Sequence, residues 1–309
     1  METFDEPLFA WVIDGKPATE YTLGKLTARL IAQINGMPFQ PTDGELYHFT
    51  TGESALAILD SGVLRLTDYN NLADGSELQH GLALAGRTVS EYEDELSSET
   101  VSLFGEVLSS SPPLRTFVSC FSLLRDSPKH WADYAGNGTG VAIGLEPEGF
   151  YTLTSTDPRA ISLTRVAYDR VVKTGALLGL SVLVNDAVHL DKSRNLYHRE
   201  TYLAEVGRLV LDLAPLCKDE TYSDEHEVRL IVVPELSLSG VARDLTPTAC
   251  TTERGVRAYV TTRDILSDFV LPVTRIVVGP LASPETRNGM SAFAHRLGVP
   301  VNSSRFGCA

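Results

Sequence analysis

Three clusters of residues in this chain have the types and spacing to do chemistry. The first is His48 with Thr50, in the run Leu46-Tyr47-His48-Phe49-Thr50-Thr51. The run reads as a short strand, where a histidine is costly unless its ring nitrogens find partners. A His-x-Thr pair so placed can grip a ribose or a carboxamide; the alternative is a buried structural histidine. The second cluster is Thr116–Ser122 followed by Trp131-Ala132-Asp133-Tyr134-Ala135. A strand there delivers Ser122 at its end, and a helix presents Trp131 and Tyr134 one turn apart on one face. An aromatic at that place can stack on a flat heterocycle or fill the core. The third is Glu225-His226-Glu227-Val228-Arg229. Read as a strand, it turns Glu225, Glu227 and Arg229 to one side and His226 to the other, which argues against a metal site built on that histidine. The strand continues apolar on both sides, through Leu230-Ile231-Val232-Val233, and this favours a polar cleft over an open surface. A glutamate in such a cleft can orient a ribose hydroxyl and stabilise an oxocarbenium-like transition state. The alternative is an Arg229–glutamate salt bridge that fixes the strand.

The elements that must position these groups follow from periodicity and turn residues. Residues 1–43 read as a preface: a helix over Glu20–Ile34 capped by Thr19, then a proline-containing linker. A single domain then spans 45–309. The pattern predicts strand Leu46–Phe49, helix Ser54–Asp60, strand Val63–Leu66 and a polar loop from Thr67 to Glu77. It continues with one long helix over Ser76–Leu108, strand Leu114–Phe121, a short helix over Lys129–Tyr134, a glycine-rich turn at Gly136–Gly140 and strand Val141–Leu145. Further on come strand Ile161–Tyr168, a mostly helical stretch Gly175–Leu216, and strands Glu227–Val233, Val256–Val260 and Arg275–Val278. Helix Ser283–Leu297 is the last element. Short strands interleaved with helices, without regular βαβ spacing, indicate an α+β fold with mixed or antiparallel central sheets and flanking helices. Arg65 and Arg115 are candidates for binding a pyrophosphate, Arg65 the better placed; for each, a surface charge is the alternative.

The totals narrow the classes. Of 309 residues, 43% are hydrophobic and 21% charged, with a formal net charge of -14. That average field disfavours a nucleic-acid partner, because phosphate neutralisation needs clustered Lys and Arg. The four cysteines, Cys120, Cys217, Cys250 and Cys308, form no C-x-x-C pair, so neither a zinc knuckle nor a disulfide framework is expected. With an acidic N-terminus and no apolar run of spanning length, the expectation is a cytoplasmic chain without a membrane partner. There is no P-loop, no Gly-x-Ser-x-Gly elbow and no His-Glu-x-x-His.

In this order the motifs resemble those of a bacterial family of uncharacterised function known as DUF2971. Leu46-Tyr47-His48-Phe49-Thr50, Cys120-Phe121-Ser122, Trp131-Ala132-Asp133-Tyr134-Ala135, Gly140-Val141-Ala142-Ile143-Gly144 and Glu225-His226-Glu227-Val228-Arg229 carry the resemblance, which extends to Ile276-Val277-Val278-Gly279-Pro280. The family's Asn-Asp-Pro-x-Glu loop departs here to Leu72-Ala73-Asp74-Gly75-Ser76-Glu77, without its proline. The layout is also similar to that of the ADP-ribosyltransferase superfamily. That resemblance implies an ADP-ribosyltransferase-like core and NAD as a consumed substrate, with no metal. His48 would hold the nicotinamide ribose with Thr50 assisting, and Tyr134 would stack on nicotinamide. Glu227 or Glu225 would bind the ribose 2′-hydroxyl, while Ser122 and Arg65 complete the binding set. The acceptor of ADP-ribose is open among protein, nucleic acid, small molecule and water. A non-catalytic sensor or interaction module that binds a nucleotide or another protein in the same cleft is the alternative.

Overall fold

The computed structural model describes residues 44–69, 77–109, 115–157, 160–234, 242, 245–252 and 255–307. The helix expected over Glu20–Ile34, its linker and loop positions 70–76 lie outside the described residues. In chain order the elements are β1 (Leu46–Thr50), α1 (Gly52–Ser61), β2 (Arg65–Asp68), α2 (Glu77–Glu91), α3 (Ser98–Ser109), β3 (Phe117–Ser122), α4 (Pro128–Asp133), β4 (Val141–Leu145), α5 (Tyr151–Thr156), β5 (Ile161–Arg165), α6 (Arg170–Ser193), α7 (Arg199–Leu213), β6 (Glu227–Val232), β7 (Thr248–Thr252), β8 (Gly255–Thr261), α8 (Thr262–Ile265), β9 (Val273–Val278), α9 (Pro284–Leu297) and β10 (Val301–Ser303). This is an α+β fold. Among the described residues its contacts divide into two compact units, one of residues 77–109 and 167–220, the other of residues 44–69, 115–166 and 221–307 where described.

The first unit is helical where described. Helices α2, α3, α6 and α7 bury one apolar face each, and Leu84, Phe104, Leu180, Val184, Tyr202 and Leu209 meet in its core. Tyr202 also donates to Asp191 Oδ2 at 2.7 Å, tying α7 to α6 with both side chains buried. The single helix expected over Ser76–Leu108 is broken. A 3-10 turn at Glu93–Glu95 ends the first part, and Ser97 restarts the second: its Oγ accepts from the Thr100 amide at 3.2 Å while its own amide donates to Asn185 Oδ1 at 2.8 Å. Side-chain acceptors at a helix start satisfy amides that have no intrahelical partner, and the acidic run around Glu93 has no such reason to stay helical. The stretch expected to be helical from Gly175 begins at Arg170, capped by Asp169 at 2.9 Å from the Val172 amide. By length and mean hydropathy (24 residues, 1.5) α6 could cross a membrane, but Leu177, Leu180, Val184, Ala187 and Val188 are buried in the unit's own core.

The second unit holds a ten-stranded mixed sheet in the order β10-β9-β4-β1-β3-β2-β8-β7, with β6 between β3 and β5. All pairs are antiparallel except β10 with β9. Strand β4, buried throughout, falls where the sequence pattern puts it. Strand β2 begins at Arg65, two residues later than expected, while β7, β10 and α5 were not anticipated. The sheet forks at β3. One edge of β3 pairs with β6 along its full length, Phe117 opposite Val232 through Ser122 opposite Glu227. The other edge is shared: β2 pairs with Phe117 and Val118, and β1 joins only at Tyr47 opposite Ser122.

Candidate functional site

The end of β3 gathers most of the chemically interesting residues, and helix α4 supports it from one face. Ser127 caps that helix and Pro128 occupies its first turn. Trp131 anchors it: the ring is 2% exposed, its Nε1 donates to Asp126 Oδ1 at 2.7 Å, and it meets Phe49 edge-on at 4.8 Å. Burial opposes ionisation of Asp126, yet the Arg305 amide, Trp131 and Ser304 hold its pKa below the usual carboxylate range. Tyr47, Phe49, Ala142 and Val277 complete this apolar patch with Trp131 and Ala135. The sequence placed Trp131 and Tyr134 together on one helix face. Instead the helix ends at Asp133, and Tyr134 is its C-cap with an environment of its own. Trp131 is a core residue; Tyr134 is 43% exposed. The turn at Gly136–Gly140 forms as expected, with Gly136, Asn137 and Gly138 all at positive φ.

Glu225 also departs from the strand reading. It closes a 3-10 turn over Glu220–Glu225, His226 takes a left-handed φ of 45°, and β6 starts only at Glu227. The Glu225 carboxylate, on a residue 2% exposed, accepts from Tyr134 Oη at 2.9 Å and lies 3.5 Å from Lys129 Nζ. Its backbone carbonyl accepts from Ser122 Oγ at 2.7 Å. Tyr134, Ser122 and Glu225 are therefore one hydrogen-bonded group. His130 adjoins it, with its ring 5.8 Å from Tyr134 and 4.8 Å from Phe49. Burial lowers the His130 pKa against the pull of Glu225, and its buried Nδ1 has no hydrogen-bond partner.

Glu227, opposite Ser122, belongs to a second group. Both its oxygens are taken by Arg229, Nε at 2.7 Å and Nη2 at 3.0 Å, and Arg229 Nη1 donates to Tyr69 Oη at 2.9 Å. Arg229 is 1% exposed, so burial opposes its charge; the Glu227 carboxylate, with Tyr69 and Cys120, outweighs this and holds its pKa well above the ordinary value. This is the salt bridge that the sequence left as an alternative.

His48 forms a third group. Period-two alternation along β1 sets His48 and Thr50 on the face opposite Tyr47 and Phe49. Its ring meets Phe121 at 6.0 Å, and Nδ1 lies 3.0 Å from the Cys120 carbonyl. Cys120 sits in the fork, where neither β1 nor β2 pairs with it. Because a carbonyl only accepts, Nδ1 must carry the proton, which leaves Nε2 as the acceptor of the neutral ring. Burial lowers the His48 pKa, and the hydrogen bond to Cys120 opposes that shift. His48 thus neighbours the other groups through β3: Cys120 is opposite Arg229 and Ser122 opposite Glu227. Thr50 pairs with Val141 on the far edge of β1. Arg65 lies away on β2, its guanidinium 4.7 Å over the Tyr259 ring. Arg115 is exposed.

Lys129, His130 and Tyr69 were not singled out from the sequence. Lys129 carries a local signal, the i,i+4 pair with Asp133 at 2.8 Å, but its approach to Glu225 spans 96 positions of chain and has none. Among the described residues no cluster of three or more His, Cys, Asp or Glu could hold a metal ion.

Fold and site together define an α+β protein with an open, forked mixed sheet and, at the end of its central strand, a buried carboxylate paired with a half-exposed phenol. Residues 130–230 match the family model described as "Protein of unknown function (DUF2971)", which supports the family that the motifs resemble. No curated protein and no solved structure matches the chain.

Proposed function

We propose that this chain is an NAD-consuming enzyme of ADP-ribosyltransferase type, which cleaves the nicotinamide–ribose bond and passes ADP-ribose to an acceptor or to water. The observation that carries the reading is the buried Glu225 carboxylate held by the half-exposed Tyr134 phenol. Of the two glutamates Glu225 is the better candidate, because Arg229 already occupies both oxygens of Glu227. The Tyr134 side chain is 43% exposed, and in this reading nicotinamide stacks on its ring. In this reading Glu225 accepts from the ribose 2′-hydroxyl, and its charge then stabilises the ribosyl cation as the C–N bond breaks. The bonding pair leaves with the nicotinamide nitrogen. The acceptor nucleophile adds to the anomeric carbon and gives up its proton. His48, neutral with Nε2 as acceptor, is suited to a ribose hydroxyl at the fork. No metal takes part in this scheme.

The test is nicotinamide release from NAD, followed by chromatography, for the wild type and for Glu225→Gln. Gln still accepts from Tyr134, so the fold persists while the charge is lost. Turnover should fall by about 100-fold or more, in the range seen when a charge-stabilising group is removed. Equal release by the variant rejects the role. A second reading, a non-catalytic NAD sensor, is favoured by one observation: both carboxylates already have protein partners. Calorimetric binding of NAD without product supports that reading.

A further inference from the structure

A cavity of about 280 Å³ lies within the helical unit. Its lining includes Lys173, His80 and Thr88, with Arg87 and Arg170 among the exposed lining residues. Lys173 is 4% exposed on α6, and its ammonium donates to the Lys218 carbonyl at 2.6 Å. That uses one of three N–H donors. Among the described residues no carboxylate pairs with it. A desolvated ammonium satisfied only by a neutral carbonyl is costly, and a bound anion would remove that cost. His80 gives an independent sign. Its Nε2 is buried without a hydrogen-bond partner, although the ring lines the same cavity. Burial, and next the Lys173 charge, lower the His80 pKa, so the ring is neutral at pH 7. Glu91, Asp219 and Glu220 also line the cavity, so a highly charged anion would meet repulsion there.

We propose that this cavity is a binding site for a small oxyanion-bearing metabolite, a carboxylate or a phosphate, whose anionic head sits on the Lys173 ammonium with His80 and Arg87 beside it. The site shares no lining residue with the proposed NAD chemistry and would serve as a second ligand site of the chain.

The experiment is isothermal calorimetry and thermal denaturation of the full chain with inorganic phosphate and with malonate, each against chloride at equal ionic strength. Saturable binding of either probe is expected, and which one binds separates the two sources of the anion. Lys173→Met should abolish binding; replacing a buried ammonium by an apolar side chain of similar length is compatible with folding. Arg87→Ala, at an exposed position, should weaken binding several-fold with no change in melting temperature, and it decides the matter if Lys173→Met does not fold. Absence of binding by both probes overturns the proposal. So does an unchanged affinity in either folded variant.

Discussion

Replacing Glu227 by Gln tests whether this residue is chiefly a structural partner of Arg229. The guanidinium is 1% exposed, and its contacts include both oxygens of Glu227, at 2.7 Å and 3.0 Å, and the Tyr69 hydroxyl at 2.9 Å. Removing one member of a buried pair leaves an uncompensated charge, at a cost of about 3–5 kcal/mol. Gln keeps one acceptor for the guanidinium, so the expected loss is near the lower end, about 3 kcal/mol. For a domain of this size that corresponds to a fall in melting temperature of roughly 6–12 °C. Arg229→Met alone should also destabilise, since it takes the guanidinium away from both oxygens of the buried Glu227 carboxylate. The double variant, Glu227→Gln with Arg229→Met, removes both charges and should be more stable than the sum of the two losses predicts. Circular dichroism melts of the four proteins complete the cycle. A shift below about 2 °C for Glu227→Gln, or strictly additive losses, would refute the reasoning.

Other consequences follow from the same contacts. Tyr134→Phe removes the hydrogen bond to Glu225 from a side chain 43% exposed, so stability should fall by only about 1 kcal/mol while NAD turnover drops; denaturant unfolding and nicotinamide release measure the two. Gly140→Ala would place a methyl carbon 2.2 Å from the Thr50 carbonyl oxygen and 2.8 Å from that of Ala135, so the turn must shift, and a loss of about 1–3 kcal/mol should appear in the melt. The Tyr197 hydroxyl and then Lys192 hold the Glu99 pKa down to about 2 from an ordinary 4.5. A lowered carboxylate pKa stabilises the fold above the unfolded value, and that gain is lost as pH falls through the folded one. The stability gap between wild type and Glu99→Gln should therefore be full at neutral pH and close between about pH 4.5 and about pH 2. Burial lowers the His48 pKa, so its NMR titration midpoint should lie below the ordinary 6.5, and a midpoint at or above that value contradicts the assigned neutral ring.

What the sequence made legible was local. Strand β4 and the turn before it were readable because an apolar β-branched run follows closely spaced glycines, and α9 because Ser283 and Pro284 mark its start. The Arg229–glutamate contact was readable as one of two options, because residues two apart on a strand share a face. The fork at β3 was not readable: which strand takes which half of an edge depends on pairing between distant segments, and periodicity carries no information on that. The same holds for Tyr69, which reaches Arg229 across 160 positions. Glu225 was misplaced onto the strand because His226 is a non-glycine residue with a left-handed backbone, for which its type gives no warning. The break between α2 and α3 depends on Asn185, 88 positions away from Ser97, and was equally invisible.

The most direct test of the central claim is a crystal structure of the chain with a non-hydrolysable carbocyclic NAD analogue. Nicotinamide should lie against the Tyr134 ring, with a hydroxyl of the adjoining ring within about 3 Å of the Glu225 carboxylate. An analogue bound elsewhere, with Tyr134 and Glu225 still closed on each other, would contradict it.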